Sequence, residues 1–182
     1  MVKNGPARME AIARSIRDNV GPCDSILDVG CYEGYVLKYL ADHLGPMRIV
    51  GLDISEVVLE RARKNCSGVR GSFLQFDLNS IFDHPGRVFP AEIPRCDVIV
   101  VCDMLYYVGK NCAYVWSQPR KQLAAKQALL RALQRHTRKA VIVQHFGARY
   151  CDAIGFAVQE CGGRLIDEIW GIYLLNADVE NQ

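Results

Sequence analysis

Three aspartates in this chain each close a short apolar run, and a fourth sits inside one. Asp28 lies within Ser25-Ile26-Leu27-Asp28-Val29, Asp53 follows Arg48 to Leu52, Asp77 follows Ser72 to Phe76, and Asp103 follows Asp97 to Cys102. A carboxylate at a strand end can accept hydrogen bonds from hydroxyls and amines. Gly30 and Gly34 bracket the turn Gly30-Cys31-Tyr32-Glu33-Gly34, and without a Cβ they let the backbone approach a ligand closely. Asp53 stands 19 residues after Gly34, where an acid can accept the two hydroxyls of a ribose. Asp77 can accept from an exocyclic amine such as that of adenine, and Leu52, Ile54 and Leu78 can sandwich such a ring. Asp103 can orient an amine or act as a base, and a loop acceptor or helix cap is the plainer reading. His145 can serve as base for a hydroxyl acceptor or stand as a hydrogen-bonded structural histidine. Tyr106 and Tyr107 can shape a cavity or pack at an edge.

These residues need a scaffold that brings strand ends together. Met9, Ile12, Ile16 and Val20 predict a helix over Ala7 to Val20, with Arg and Asp on the other side. Val36 to Leu44 and Val58 to Cys66 give two further helical faces. Gln118 to His136 is the strongest helix, and Ala148 to Cys161 is another. Strands are expected at Ser25–Val29, Arg48–Leu52, Ser72–Phe76, Asp97–Cys102 and Lys139–Phe146, then Arg164–Trp170 and Ile172–Asn176 joined at Gly171. Pro85, Gly86, Pro90 and Pro94 make 79–95 mostly loop. Alternation of this kind predicts an α/β fold: a doubly wound, Rossmann-like sheet, mostly parallel, with one antiparallel strand from the C-terminal hairpin. In such a sheet the ligand sits outside the carboxyl ends of the strands, where all the residues above fall.

The chain has 182 residues, enough for one domain with its own core. It divides into an N-terminal helical cap (1–22), a core (23–146) and a C-terminal helix and hairpin (147–182). No apolar run reaches the length of a membrane helix, and the N-terminus lacks the apolar stretch of a secretory signal. The eight cysteines contain no C-x-x-C pair, so they read as reduced thiols of a cytoplasmic protein rather than zinc ligands. No acidic cluster suggests a metal. The net charge of +2 conceals a split: residues 104–151 carry nine basic side chains and no acidic one. On the helix Gln118–His136, Arg120, Lys121, Arg131 and Arg135, with Arg138 and Lys139 beyond, fall on one face opposite Leu123, Leu129, Leu130 and Leu133; Lys126 sits among the leucines. This is a solvated face or a contact for an anionic partner such as RNA. Val108 to Pro119 carries Tyr114 and Trp116, which fit a substrate lid or a loop pinned to the core.

From Ser25 to about Phe146 the sequence resembles the class I S-adenosylmethionine-dependent methyltransferases. Ile26 to Gly34 resembles the family's first motif, and its first turn is G-x-x-x-G where a dehydrogenase has G-x-G-x-x-G. The resemblance implies S-adenosyl-L-methionine as cofactor. Asp28, Gly30 and Gly34 would shape the pocket for its methionine end, Asp53 would meet the ribose and Asp77 the adenine side, with Cys31, Ile54, Leu78 and Cys102 as further cofactor-binding candidates. Cys102 to Leu105 would line cofactor and substrate. Many members have glycine where Tyr32 stands. Nodulation-factor and sugar-modifying members tolerate other residues there, and Leu105-Tyr106-Tyr107 is similar to that small-molecule group. The expected activity is methyl transfer to an N or O atom of a small-molecule acceptor, with Asp103, Tyr106 and His145 as catalytic candidates. The alternatives are an RNA methyltransferase using the basic helix and a non-catalytic cofactor-binding relative.

Overall fold

The computed structural model describes residues 5–83, 89–108, 119–145 and 148–178. Five helices, α1 (Gly5–Asn19), α2 (Tyr35–Leu44), α3 (Glu56–Asn65), α4 (Pro119–His136) and α5 (Ala148–Glu160), accompany seven strands. The strands are β1 (Ser25–Val29), β2 (Arg48–Asp53), β3 (Gly71–Gln75), β4 (Val98–Cys102), β5 (Ala140–Gln144), β6 (Arg164–Asp167) and β7 (Ile172–Asn176). They form one sheet in the order β3-β2-β1-β4-β5-β7-β6. The pairs from β3 through β5 are parallel, and β7 runs antiparallel to both β5 and β6. The strand order reverses between β1 and β4, the switch point where such sheets bind ligands.

Side-chain alternation divides the core between the two faces. Leu27, Val29, Ile99, Val101, Val141 and Val143 face α4 and α5. Ile26, Ile49, Val98, Val100, Ala140 and Ile142 face α1, α2 and α3, where Ile12, Ile16, Leu37, Leu40 and Leu59 cover them. By the same parity Asp28, Cys102 and Gln144 lie on the α1 side of β1, β4 and β5. Arg8 is four residues before Ile12, so it extends the buried stripe of α1. This corrects the expectation that the arginines of α1 all lie opposite its apolar face.

Strand ends shift for local reasons. β3 begins and ends one residue early, and the last hydrogen bond of its ladder runs from Phe76 N–H to Asp53 O. β5 ends at Gln144, where the last ladder bonds run from Asp103 N–H to the Gln144 carbonyl and from His145 N–H to the Gly171 carbonyl. β6 stops at Asp167, whose Oδ1 accepts Trp170 N–H at 3.1 Å and so closes a turn. The loop after β3 contains a 3-10 turn, Leu78–Asp83.

The α4 leucines Leu129, Leu130 and Leu133 are fully buried, and Lys126 is buried with them. Cations of the basic block are engaged within the chain. Arg131 donates to Glu160 O, Arg138 pairs with Asp97, and Lys139 donates to Pro22 O. The side chains of Arg120 and Lys121, and the segment with Tyr114 and Trp116, lie outside the described residues. No helix among the described residues is long and apolar enough to cross a membrane.

Candidate active site

The sheet pulls its strand ends around a cavity of ≈ 480 Å³, within the range of small-ligand sites. Gly30 opens it from β1, Leu52, Asp53 and Ile54 from β2, Asp77 and Leu78 from β3, and Cys102 and Asp103 from β4. Tyr32, Asn79, Met104, Tyr107 and Val108 complete the lining. Gly30, Leu52, Asp53, Ile54, Asp77, Leu78, Cys102, Asp103 and Tyr107, all singled out in the sequence, therefore meet there.

Asp28, Cys31 and His145 stand behind the wall. Asp28 is 2% exposed on the α1 face. Cys31 is buried, and its thiol is pushed up by burial and by the charges of Asp28 and Asp53. His145 is 4% exposed, with Nδ1 3.7 Å from Asp103 Oδ1, so it backs Asp103 rather than facing the cavity. Burial lowers the His145 pKa, against an upward pull from Asp103. Tyr106 lies in the 3-10 turn Leu105–Tyr107, and its side chain is outside the described part.

The two glycines of the first turn do different work. Both have left-handed backbones, φ 78° at Gly30 and 77° at Gly34. A Cβ on Gly30 would stand 3.2 Å from Met104 Cβ, at the cavity wall. A Cβ on Gly34 would stand 3.0 Å from Cys66 Sγ and 3.2 Å from Ala62 Cβ, against α3. Gly34 thus permits helix packing, where the sequence suggested close approach to a ligand.

Between them Tyr32 also takes φ 49°. Left-handed backbone costs an L-residue about 1–2 kcal/mol, which explains why glycine suits this place. Asp53 holds the strained turn: its Oδ2 accepts Tyr32 N–H and its Oδ1 accepts Ser55 N–H, each at 3.0 Å. Asp77 orders its own loop through Oδ1, which accepts Asn79 N–H and Nδ2–H at 2.9 Å. Glu33 ties the turn to its surroundings, accepting from Arg61 at 2.7 Å and Tyr35 at 2.9 Å.

Asp103 is the second non-glycine residue at φ 49°. Aspartate tolerates that region better than most. Its Oδ2 accepts from Arg8 Nη1 at 2.6 Å in a half-buried ion pair. Arg8 escaped the sequence reading, and its spacing from Ile12 and Ile16 is the signal that could have found it. Its guanidinium also acts on Asp28, whose buried carboxyl is raised to about 7 by burial, with Arg8 pulling it down and Asp53 pushing it up. Burial pushes the Cys102 thiol well up, so it stays protonated and inert.

A family model described as a methyltransferase domain matches residues 26–140. The chain belongs to the methyltransferase-domain family. This enzyme family therefore accounts for the glycine turn and strand-end acids. Among solved structures, the methyltransferase domain is similar to SAM-bound CalS10, an amino pentose methyltransferase from Micromonospora echinaspora. The identity is 19% over 80% of this chain and 52% of that one, with a TM-score of 0.58. It is also similar to the sugar N-methyltransferase KedS8 from Streptoalloteichus sp ATCC 53650, at 19% identity over 79% of this chain and 49% of that one, TM-score 0.58. The plantazolicin methyltransferase BpumL, in complex with SAH, matches at 17% identity over 86% of this chain and 54% of that one, TM-score 0.56. The chain spans about half the length of these structures. No individually curated protein matches it.

Proposed function

We propose that this methyltransferase domain uses S-adenosyl-L-methionine to methylate an N or O atom of a small-molecule acceptor. The observation that carries this reading is the convergence of Gly30, Asp53, Asp77 and Asp103 on one cavity at the switch point. The residues fit the cofactor on grounds of their own chemistry. Asp53 keeps lone pairs for ribose hydroxyls after serving two backbone amides. Asp77 borders the apolar pair Ile54 and Leu78, as a purine with an exocyclic amine requires. Asp28 Oδ1 is buried without a hydrogen-bond partner among the described residues, which suits a cationic group bound nearby.

When bound, the cofactor supplies a methyl carbon already activated on a sulfonium. What remains for the chain is alignment and proton handling. Asp103 is the reactive side chain best placed for the acceptor. The chain's part would be to aim the acceptor's lone pair at the methyl carbon that the bound cofactor would supply. The acceptor's proton passes to the Asp103 carboxylate or to water. His145 acts through Asp103 as a positioning residue, and Tyr107 borders the acceptor's entry. The similarity to enzymes that methylate amino sugars favours an amine acceptor.

Calorimetric titration with S-adenosylhomocysteine and with NAD tests the cofactor. Binding of the first and not the second is expected, and the reverse would overturn the reading. A methyl-donor assay against pooled amino sugars, RNA and peptides then tests the acceptor, with transfer to the small molecules expected. Transfer confined to RNA or peptide would overturn the acceptor class.

A further inference from the structure

Tyr32, Ile54 and Tyr107 line the cavity and still stand in the open, each 56% exposed. Large apolar surface left uncovered at the mouth of a site marks what the site binds. Ile54 follows Asp53 at the end of β2, on the side given to the nucleoside. The two tyrosines come from either side of the switch point, Tyr32 from the turn after β1 and Tyr107 from the 3-10 turn after β4. Tyr32 is held there against its backbone preference. Its φ of 49° is strain that a glycine would not carry, and Asp53 Oδ2 fixes it by accepting Tyr32 N–H. A strained backbone that keeps a ring in water at a cavity mouth points to a ligand for the ring.

The polar side chains of the wall are unevenly placed. Asp53, Asp77 and Asn79 gather beyond β2 and β3, where the two aspartates accept backbone amides and Asn79 donates to Asp77. Beyond β4 the wall is Asp103 with Met104, Tyr107 and Val108: one carboxylate and one phenol among apolar groups. A sugar seated on that side would leave most of its hydroxyls without a side-chain partner among the described residues, and each one taken from water unpaired is costly. An amine on a flat apolar body meets both complements there, the carboxylate for its nitrogen and the rings for its body.

We propose that Tyr32 and Tyr107 form an aromatic jaw for the body of the acceptor, and that the acceptor is an amine carried on an aromatic group. This narrows the acceptor reading above and rests on it. An amino sugar is then the slower acceptor, held by its nitrogen alone. Tyr32 sets the specificity, since the glycine that suits its backbone would leave the jaw with one side.

The test compares phenethylamine with glucosamine, two primary amines that differ in body. Methyl transfer from S-adenosylmethionine is measured for the parent, Tyr32→Gly and Tyr32→Phe, and S-adenosylhomocysteine is titrated calorimetrically into each. The parent should favour phenethylamine by about 10-fold or more in kcat/KM, as burial of one ring provides. Tyr32→Gly should raise the KM for phenethylamine about 5- to 20-fold with kcat within about 3-fold, the pattern of lost uniform binding. Tyr32→Phe keeps the ring, so its KM should stay within about 3-fold of the parent's. Affinity for S-adenosylhomocysteine should change by less than about 3-fold in both variants, because the backbone amide that donates to Asp53 is still present. If Tyr32→Gly does not fold, Tyr107→Ala decides by the same comparison. A parent that binds S-adenosylhomocysteine but methylates glucosamine as fast as phenethylamine, or methylates neither, overturns the proposal and leaves the cofactor reading standing. An unchanged KM in Tyr32→Gly, or a joint fall in kcat and S-adenosylhomocysteine affinity in its place, also overturns it. Transfer to RNA or peptide alone overturns the acceptor class and this proposal with it. A parent that does not bind S-adenosylhomocysteine overturns the cofactor reading as well.

Discussion

Arg8 and Asp103, 95 residues apart in sequence, meet at 2.6 Å across the open end of the sheet. The pair fastens α1 to the end of β4 and holds the Asp103 carboxylate at the cavity wall. It also fixes a left-handed residue that nothing in β4 itself requires. Strained backbone at a site wall is where function commonly resides.

Replacing Asp103 with asparagine keeps an oxygen for Arg8 and removes the charge. Methyl transfer should fall about 100-fold, the usual worth of a positioned proton acceptor. S-adenosylhomocysteine affinity should change by less than about 3-fold, because the asparagine oxygen still accepts from Arg8. Turnover and calorimetric titration on the same preparation check both halves. A loss of binding as large as the loss of turnover would assign Asp103 to holding the cofactor instead.

Asp28 gives the ligand-free protein a pH dependence. Its carboxyl ionises near 3.8 when unfolded and near about 7 when folded. Between those values the folded state binds more protons, so stability falls as pH rises through that window and levels off above it. The drop should be on the order of 2–4 kcal/mol. Urea midpoints at pH 5 and pH 8 measure it, and Asp28→Asn should flatten the difference. An unchanged slope in the variant would place the titration elsewhere.

The strain at Tyr32 is separable from its side chain. Tyr32→Gly removes the left-handed penalty but adds chain entropy, so stability should hold steady or rise by up to about 1 kcal/mol. Gly30→Ala should cost about 1–3 kcal/mol, because it adds that penalty and presses a methyl on Met104. Denaturant unfolding of the two variants reads the contrast directly, and a loss at Tyr32→Gly would show that its ring is structural.

Asp53→Ala should lose about 1–3 kcal/mol from the two unsupported amides. It should also abolish the thermal shift produced by S-adenosylhomocysteine. Asp53→Asn should keep most of the stability while still weakening the ligand, since one oxygen remains to accept. If the asparagine variant binds as well as the parent, the ribose contact lies elsewhere.

The sheet was legible because each strand is a short apolar run and each turn carries its own stop. The cavity's acids were legible because residues that end parallel strands share one edge. Two things escaped. Arg8 looked like an outward arginine, since charge weighs against burial until a partner carboxylate is known, and Asp103 lies 95 residues away. Gly34 looked like Gly30, since a positive φ serves ligand approach and helix packing alike. Only the neighbours of the missing Cβ, Cys66 and Ala62, tell the two apart. The engagement of Arg138 and Lys139 with Asp97 and Pro22 was equally invisible, because it depends on where β4 begins and α1 ends.

The recognisable domain begins at residue 26, and α1 lies wholly before it. A fragment cut at that edge would retain every sheet strand except the first residue of β1. It would also strip from α2, β5 and β6 the helix that packs against them and remove the cation that meets Asp103. The unit that inheritance defines and the unit that can work therefore have different borders. Any trimming, fusion or grafting of this domain has to respect the second.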